Sequence, residues 1–274
     1  MLTDYHLHLR PDEEGTAAAE YFTEANVGRY LAAADGAGVE ELGASEHIHR
    51  FRDALQIWDH PFWVEQATDD LAAYCEFVRT TPLRLGIEMD FVPGAEDRIA
   101  ALLDSHDFDY VVGSVHFIDS GAVDHPGYDA WDGGGSPDKV WARYFEWLAE
   151  AARSGLFDIL AHPDLVKVWG RARPVPDRDP RFFYEPAVEA VAESDVAVEI
   201  STAGIRKPVG EIYPAPSLAA MFAEAGAPFA LSSDAHVPEQ VGFAYDAARE
   251  LLDDLGVGEI AVFERRERRL EPVG

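Results

Sequence analysis

The first histidines of the chain have the spacing of a pair of metal ligands. His6 and His8 are separated by one residue, and Asp4 precedes them in the segment LTDYHLHLRP. Side chains two residues apart on a strand point to the same face, about 7 Å apart along the chain. If this segment is a strand, its two imidazoles can therefore bind one metal ion.

Residues of the same types recur where later apolar segments end. They are Glu46, His47 and His49; Glu88 and Asp90; His116; His162 and Asp164; and Asp234 and His236. One His-x-His pair arises easily by chance among ten histidines, but ligand residues at the ends of six of seven apolar segments do not. Because buried charge is costly unless it is paired or metal-bound, this pattern predicts a bound cation.

The residue types restrict the metal. Imidazole and carboxylate ligands suit Zn, Mn or Fe, whereas Ca and Mg prefer shells made of oxygen. A catalytic zinc takes about three protein ligands, so this larger set implies two or three divalent ions. Glu88 is the best candidate to bridge two of them, because it is a carboxylate at a central strand end. We assign no metal role to His60, His106 and His125, which lie in predicted loops or helix ends.

The order of the segments predicts the elements that position these residues. The apolar segments cover residues 2–8, 41–46, 83–91, 110–117, 157–161, 196–201 and 229–233, with a weaker eighth at 259–263. Helical patterns cover residues 27–34, 63–79, 138–153, 181–192, 217–225 and 239–252. Such alternation favours a parallel sheet, and seven or eight repeats favour a closed α/β barrel with its site at the C-terminal strand ends.

Length and composition limit the class of protein. With 274 residues, 47% of them apolar, the chain can build a substantial core, and we expect one domain over residues 1–274. A Gly- and Asp-rich stretch at about 118–137 predicts a long rim loop, either a functional lid or a plain insertion. Cys75 is the only cysteine, which excludes an intrachain disulfide and a thiolate metal site.

Charge and the N-terminal pattern restrict partners and location. The chain carries 51 acidic and 22 basic residues, a net charge of −29, which repels the phosphates of nucleic acids. No apolar run approaches 18 residues, so we expect no membrane span. Because the first residues lack a signal-peptide pattern, we expect a cytoplasmic location. The sequence gives no signal for the oligomeric state.

Several motifs together resemble a known superfamily. DYHLHL, ASEHI, GIEMDFVPG, GSVHFID, ILAHPDLVKVWG, STAGIRKPVGEIYP and LSSDAH run in order from residue 4 to residue 236. This series resembles the polymerase and histidinol phosphatase (PHP) superfamily, in particular its histidinol-phosphate phosphatases. The resemblance implies a distorted (β/α)7 barrel with a trinuclear metal centre. It also implies hydrolysis of L-histidinol phosphate to L-histidinol and phosphate in histidine biosynthesis.

The resemblance further implies which residues bind each metal. The ligands of the first would be His6, His8, Glu88 and Asp234, and those of the second Glu88, His116 and His162. His47 and His236 would bind the third, together with a residue shortly after the first motif. At that place this chain offers Asp12, Glu13 and Glu14, of which Glu14 is closest to the expected spacing.

Hydrolysis of a phosphate ester requires a nucleophile and compensation of negative charge. A hydroxide bridging the first two metals would attack phosphorus in line, because a metal lowers the pKa of bound water towards about 7. Lys167 and Arg206 would clamp the phosphate oxygens, with Lys207 as an alternative, and His236 would act there through the third metal. Asp234 is a candidate to protonate the leaving alkoxide.

The leaving side of this substrate carries an imidazole and an ammonium group. The candidates to bind it are Asp119, Tyr128, Trp131 and Trp169, but for the aromatic residues we slightly favour a role in loop packing. Three other functions stay open. The chain could be a PHP phosphoesterase acting on nucleotides or DNA ends, an amidohydrolase-type metal hydrolase, or a non-enzymatic metal-binding regulator.

Overall fold

Eleven strands are found in residues 1–13, 15–132 and 136–274, the part of the chain that the computed structural model describes. The strands are β1 (Thr3–Asp4), β2 (Glu41–Ala44), β3 (Arg84–Asp90), β4 (Tyr110–Ser114), β5 (Phe117–Ile118), β6 (Gly121–Ala122), β7 (Ile159–Leu160), β8 (Ala197–Ser201), β9 (Phe229–Ser232), β10 (Glu259–Glu264) and β11 (Glu267–Pro272). Seven of them form one parallel sheet in the order β1-β2-β3-β4-β7-β8-β9.

The sheet curls into a nearly closed barrel because its first and last strands meet. Leu7 pairs in parallel with Ala235, and the His8 N–H donates to the Ala235 carbonyl at 2.7 Å. The Tyr5 N–H reaches the Leu231 carbonyl at 3.4 Å. The predicted distorted (β/α)7 barrel is therefore confirmed, and its strand ends converge on one rim.

Helices cover the outside of the barrel between the strands. They are α1 (Ala18–Tyr21), α2 (Glu24–Ala37), α3 (Pro61–Gln66), α4 (Leu71–Arg79), α5 (Glu96–Asp104), α6 (Pro137–Arg153), α7 (Arg181–Ala192), α8 (Ala203–Arg206), α9 (Pro216–Glu224) and α10 (Tyr245–Asp254). The helix predicted over 63–79 is two helices. The second helix, α4, begins after Asp70, whose side chain caps it by accepting a hydrogen bond from the Ala73 N–H at 3.0 Å.

The eighth apolar segment does not join the barrel. It forms β10, which pairs antiparallel with β11 as a C-terminal hairpin. Its side chains Val262 and Phe263 pack with Tyr5 and Tyr110 in a small apolar cluster at the N-terminal end of the barrel. The hairpin thus covers the end of the barrel opposite the predicted site. Its apolar side chains serve this packing, and β10 is not an eighth strand of the barrel.

The predicted rim loop contains local structure. The short strands β5 and β6 form a hairpin, and a 3₁₀ turn follows at Pro126–Tyr128. The Val123 N–H donates to the His116 carbonyl at 2.8 Å, so this part of the loop is held against the end of β4. Gly133, Gly134 and Gly135 of the predicted loop lie outside the described residues. Within the described part of the chain, no helix is long and apolar enough to span a bilayer.

Two glycines allow a tyrosine to fill the barrel interior. A Cβ added at Gly43 would lie 2.3 Å from the Tyr110 hydroxyl oxygen, and one added at Gly86 would lie 2.3 Å from Cζ of the same ring. The Tyr110 side chain is completely buried. We expect Gly86→Ala to lower the free energy of unfolding by about 1–3 kcal/mol, because Tyr110 cannot move without displacing the core. Urea denaturation measures this change.

Gly36 provides a matched control for that substitution. It lies exposed in α2, and a Cβ there would meet no atom within 4 Å. Gly36→Ala should leave stability unchanged or raise it by up to about 1 kcal/mol, because alanine is the better helix former. Equal unfolding midpoints for Gly86→Ala and the unmodified protein would contradict the packing analysis.

Candidate metal centre

A buried glutamate stands at the centre of the rim. Glu88 lies near the end of β3 and is 1% exposed. Its Oε2 faces His6 and His8, whose Nε2 atoms lie 3.4 and 3.7 Å away. Its Oε1 faces His116 and His162, whose Nε2 atoms lie 3.3 and 3.2 Å away. Because its oxygens face different pairs of imidazoles, Glu88 has the arrangement of a carboxylate that bridges two ions.

The parallel strands bring the other predicted ligands to the same place. Within the described residues, four triads have ligand atoms lying within 4.8 Å of one another, close enough to share an ion. These triads are His6, His8 and Asp234; His6, Glu88 and His162; His47, Glu88 and His116; and His8, His47 and His236. Eight of the nine predicted metal ligands therefore lie together, and the ninth, Glu14, lies outside the described residues.

Asp12 is the acidic residue that the structure places beside the third triad. Its Oδ2 lies 2.8 Å from His236 Nε2, and its Oδ1 lies 3.6 Å from His47 Nε2. Arg50 also contacts the Asp12 carboxylate and holds it over the rim. We therefore propose Asp12 as the carboxylate of the third site, where spacing alone favoured Glu14.

Two further carboxylates orient the histidines from behind. Glu199 Oε1 lies 2.8 Å from His6 Nδ1, and its Oε2 accepts the His162 backbone N–H at 2.6 Å. Asp90 Oδ1 lies 2.8 Å from His116 Nδ1. A carboxylate on one ring nitrogen fixes the tautomer and aims the other nitrogen at the metal, so Glu199 and Asp90 complete the centre.

The sequence prediction missed Glu199 because its segment was read only at its end. Glu199 is the third residue of β8 and is 1% exposed, in a strand whose other residues are uncharged and buried. A carboxylate inside an apolar strand is itself a signal of a buried partner. With Glu199, every barrel strand contributes an imidazole or carboxylate to this rim, either from the strand itself or from the residues that follow it.

Opposite charges inside the centre stabilise each other. Burial opposes the charged form of His6, but the carboxylates of Glu88 and Glu199 raise the pKa of this imidazole well above its usual value. Burial likewise opposes ionisation of Glu88, yet the surrounding histidines hold the pKa of this carboxyl well below its usual range. The Glu88 carboxylate is therefore ionised and requires positive charge, which a metal can supply in place of imidazole protons.

The surroundings of Asp234 favour a metal ligand over the predicted proton donor. Burial opposes its ionisation, but the charge of His6 and the adjacent imidazole of His8 hold the pKa of this carboxyl well below its usual range. An ionised carboxylate has no proton to give, so Asp234 is unsuited to protonate a leaving alkoxide. Its position 3.4 Å from His8 Nε2 fits a metal ligand instead.

Several buried ligand atoms have no hydrogen-bond partner among the described residues. They include the Nε2 atoms of His6 and His8, which lie 3.4 Å or more from the carboxylates that they face. Leaving so many buried polar atoms unsatisfied would be costly. Their convergence and their nitrogen and oxygen chemistry fit divalent metals such as Zn, Mn or Fe.

A cavity of about 400 Å³ opens above these residues. His116, His162, Asp234 and His236 form its floor, and Lys207 and the rim loop residues Asp124 and His125 line its sides. Trp169 also lines it and is fixed by a hydrogen bond from its Nε1 to the Val123 carbonyl at 2.8 Å. His125, which we assigned to a loop without function, therefore faces the site.

The two predicted phosphate clamps do not line this cavity. Lys167 Nζ is buried against Asp164 Oδ2 at 2.8 Å, Glu211 Oε2 at 2.6 Å and the Ile212 carbonyl at 2.9 Å. Arg206 donates instead to the backbone carbonyls of Ser233 and Asp234, at 2.8 and 3.0 Å. Lys167 is thus engaged by the protein, whereas Arg206 Nη1 is buried without a hydrogen-bond partner among the described residues, and the clamp role of both residues stays a prediction. The alternative, Lys207, lines the cavity and is exposed.

Of the four residues predicted to bind the leaving group, one lines the cavity and three do not. Trp169 faces the cavity, but Asp119 points outward and pairs with Arg143 at 2.9 Å. Tyr128 and Trp131 pack as partly buried residues against the core and do not line the cavity. The rim loop instead presents Asp124, whose carboxylate has no partner among the described residues.

Comparison with known proteins gives a consistent result. The PHP domain family model matches residues 20–203. A Deinococcus radiodurans protein named "Probable histidinol-phosphatase" is 36% identical over 280 residues, which span 99% of each chain. The Bacillus subtilis protein named "Histidinol-phosphatase" is 26% identical over 183 residues, covering 61% of this chain and 68% of that protein.

A solved structure has the same fold. The histidinol phosphate phosphatase of Lactococcus lactis, crystallised with zinc, L-histidinol and phosphate, aligns with a TM-score of 0.75. The alignment covers 98% of both chains at 21% sequence identity. At this identity, the match supports the barrel fold.

The carboxylate behind His6 gives a test of the centre. We expect Glu199→Gln to weaken metal binding roughly 10- to 100-fold, because the uncharged amide no longer holds His6 in its ligating orientation. Competition with a chromophoric chelator, together with elemental analysis, measures this loss. Glu193→Gln is the control, since Glu193 is exposed on the surface beside Arg153. Equal metal affinity in the two variants would contradict the orienting role of Glu199.

Proposed function

Because this chain belongs to the PHP domain family, we propose that it is a metal-dependent phosphatase that hydrolyses L-histidinol phosphate to L-histidinol and phosphate. The observation that carries the proposal is the convergence of five histidines on the two oxygens of the buried Glu88. The names of the relatives that match the chain, one over nearly its whole length, support the substrate.

The described residues suffice to hold two or three divalent ions. Glu88 would be shared between ions, with His6, His8 and Asp234 on one side and His116 and His162 on the other. His47, His236 and Asp12 would hold a third. Such ions, when bound, supply hydroxide at neutral pH and neutralise the phosphate dianion. The outer carboxylates Glu199 and Asp90 keep the imidazoles oriented during turnover.

The chain itself contributes positive charge at the phosphate end. Lys207 lines the cavity near His236 and has no ion-pair partner among the described residues. By contrast, Arg50 contacts Asp12 and Glu46, and Arg10 contacts Asp69. In a protein of net charge −29, an uncommitted lysine beside the centre is well placed to attract a phosphate ester.

The rim-loop side of the cavity suits a cationic leaving group. Asp124 provides an unpaired carboxylate, which matches the ammonium group of an amino alcohol. Trp169, Phe117 and Leu165 line the same cavity and offer aromatic and aliphatic surface for an imidazole ring. The cavity therefore combines a centre for phosphate with a separate site for the amino alcohol.

Other functions fit these features less well. Mononucleotides and DNA ends bring additional negative charge, which the acidic chain and Asp124 would repel. An amidohydrolase would need a metal-bridging lysine, whereas Lys167 is bonded to Asp164 and Glu211. We further propose a cytoplasmic enzyme for a small substrate, supported by the lack of any possible intrachain disulfide.

A substrate comparison tests the proposal directly. Protein loaded with Zn or Mn should hydrolyse L-histidinol phosphate with a kcat/KM at least about tenfold above that for mononucleotides, because only the former offers a cation to Asp124. Phosphate release measures both rates, and the chelated, metal-free protein is the control. Equal or reversed preference between the substrates would reject histidinol phosphate as the substrate.

Asp124→Asn tests recognition of the leaving group. We expect KM for L-histidinol phosphate to rise roughly tenfold or more, because a hydrogen bond to a charged group is lost. Hydrolysis of p-nitrophenyl phosphate, which has no ammonium group, should stay unchanged. Asp119→Asn is the control, because Asp119 lies outside the cavity and pairs with Arg143. A parallel loss with both substrates would assign Asp124 to the metal centre instead.

A further inference from the structure

Tyr213 is a buried tyrosine whose hydroxyl group has no partner. Its side chain is 0% exposed, and it lines the cavity above the metal centre. Among the described residues, no donor or acceptor lies within hydrogen-bonding range of its hydroxyl oxygen. The other hydroxyl in the cavity wall, that of Thr16, accepts from Arg10 Nε at 3.0 Å and is satisfied. A buried, unsatisfied hydroxyl in a cavity wall indicates a ligand that satisfies it.

The ring of Tyr213 is held firmly from several sides. Its backbone exchanges two hydrogen bonds with Ser201 at the end of β8, at 2.7 and 2.9 Å. Gly204 lies so close to the ring that a Cβ there would be 2.9 Å from Cε2. Lys167 Nζ lies 5.3 Å from the ring centroid on a side chain fixed by Asp164 and Glu211. The hydroxyl therefore cannot turn away to find water without moving these residues.

The ring of Tyr213 lies beside one of the histidines of the metal centre. The ring stands edge-on to His162, with 6.3 Å between the ring centroids and an angle of 73° between their planes. His162 in turn contacts the bridging Glu88. A tyrosine, with an ordinary pKa of about 10, keeps its proton at neutral pH and is a neutral donor. A fixed, desolvated donor next to developing negative charge is the arrangement by which enzymes stabilise a transition state.

We propose that the Tyr213 O–H donates a hydrogen bond to a phosphoryl oxygen of the bound ester, and so is a catalytic residue. This inference rests on the proposed phosphatase function. It gives the phosphate end a donor supplied by the protein, where the predicted clamp Lys167 is committed to Asp164 and Glu211. It also accounts for the position of Lys167, whose ammonium group packs over the Tyr213 ring.

Tyr213→Phe tests this inference with two kinds of measurement. We expect kcat/KM to fall roughly 10- to 100-fold, equally for L-histidinol phosphate and p-nitrophenyl phosphate, because both present the same phosphoryl oxygens. Titration calorimetry of the metal-loaded protein with inorganic phosphate should show affinity weakened about tenfold. The phosphate measurement does not depend on the identity of the ester, so it separates failure of this inference from failure of the proposed substrate.

Tyr110→Phe is the matched control. Tyr110 is also fully buried with an unpartnered hydroxyl, but it packs against Tyr5 and not in the cavity wall. It should keep the kinetic constants and the phosphate affinity of the unmodified protein. Unchanged phosphate affinity in Tyr213→Phe would overturn the inference. A loss confined to the alkyl ester would also overturn it, because the hydroxyl would then serve the leaving group. Loss of metal from the variant would do so too.

Discussion

The rest of this structure depends on the burial of an ionised glutamate at the centre of a barrel rim. A carboxylate in the interior costs several kcal/mol unless positive charge and hydrogen bonds surround it. Glu88 is almost completely enclosed, and the groups that enclose it are imidazoles from both halves of the chain. The chain must therefore bring distant strand ends to one point, which the curled parallel sheet does.

That requirement explains why so many carboxylates lie behind the imidazoles. Glu199 holds His6 and the backbone of His162, and Asp90 holds His116. Glu46, at another strand end, accepts the backbone N–H groups of Leu9 and Arg10 at 2.6 and 3.1 Å. Glu199 and Asp90 bind the outer ring nitrogens and fix the orientation of the imidazoles. The ring nitrogens that face the centre therefore stay available for metal.

The loops above the centre divide the cavity by charge. Lys207 offers positive charge for a phosphate group, as would metal ions held by the histidines, whereas Asp124 offers negative charge for an ammonium group. Tyr213 stands in the same wall with its proton uncommitted. A substrate that carries phosphate at one end and a cation at the other would satisfy both ends at once. The strands supply the centre common to the fold, and the loops supply the selectivity.

The sequence by itself determined the barrel, the PHP family and the predicted set of ligands around Glu88. It could do so because strand alternation and motif order are properties of the chain alone. Only the tertiary structure decided which cations were free. Lys167 and Arg206 looked available from their loops, but folding gave them Asp164 and Glu211, or backbone carbonyls, as partners. It also revealed Glu199, Asp124 and Tyr213, because whether a polar atom has a partner depends on residues far away in sequence.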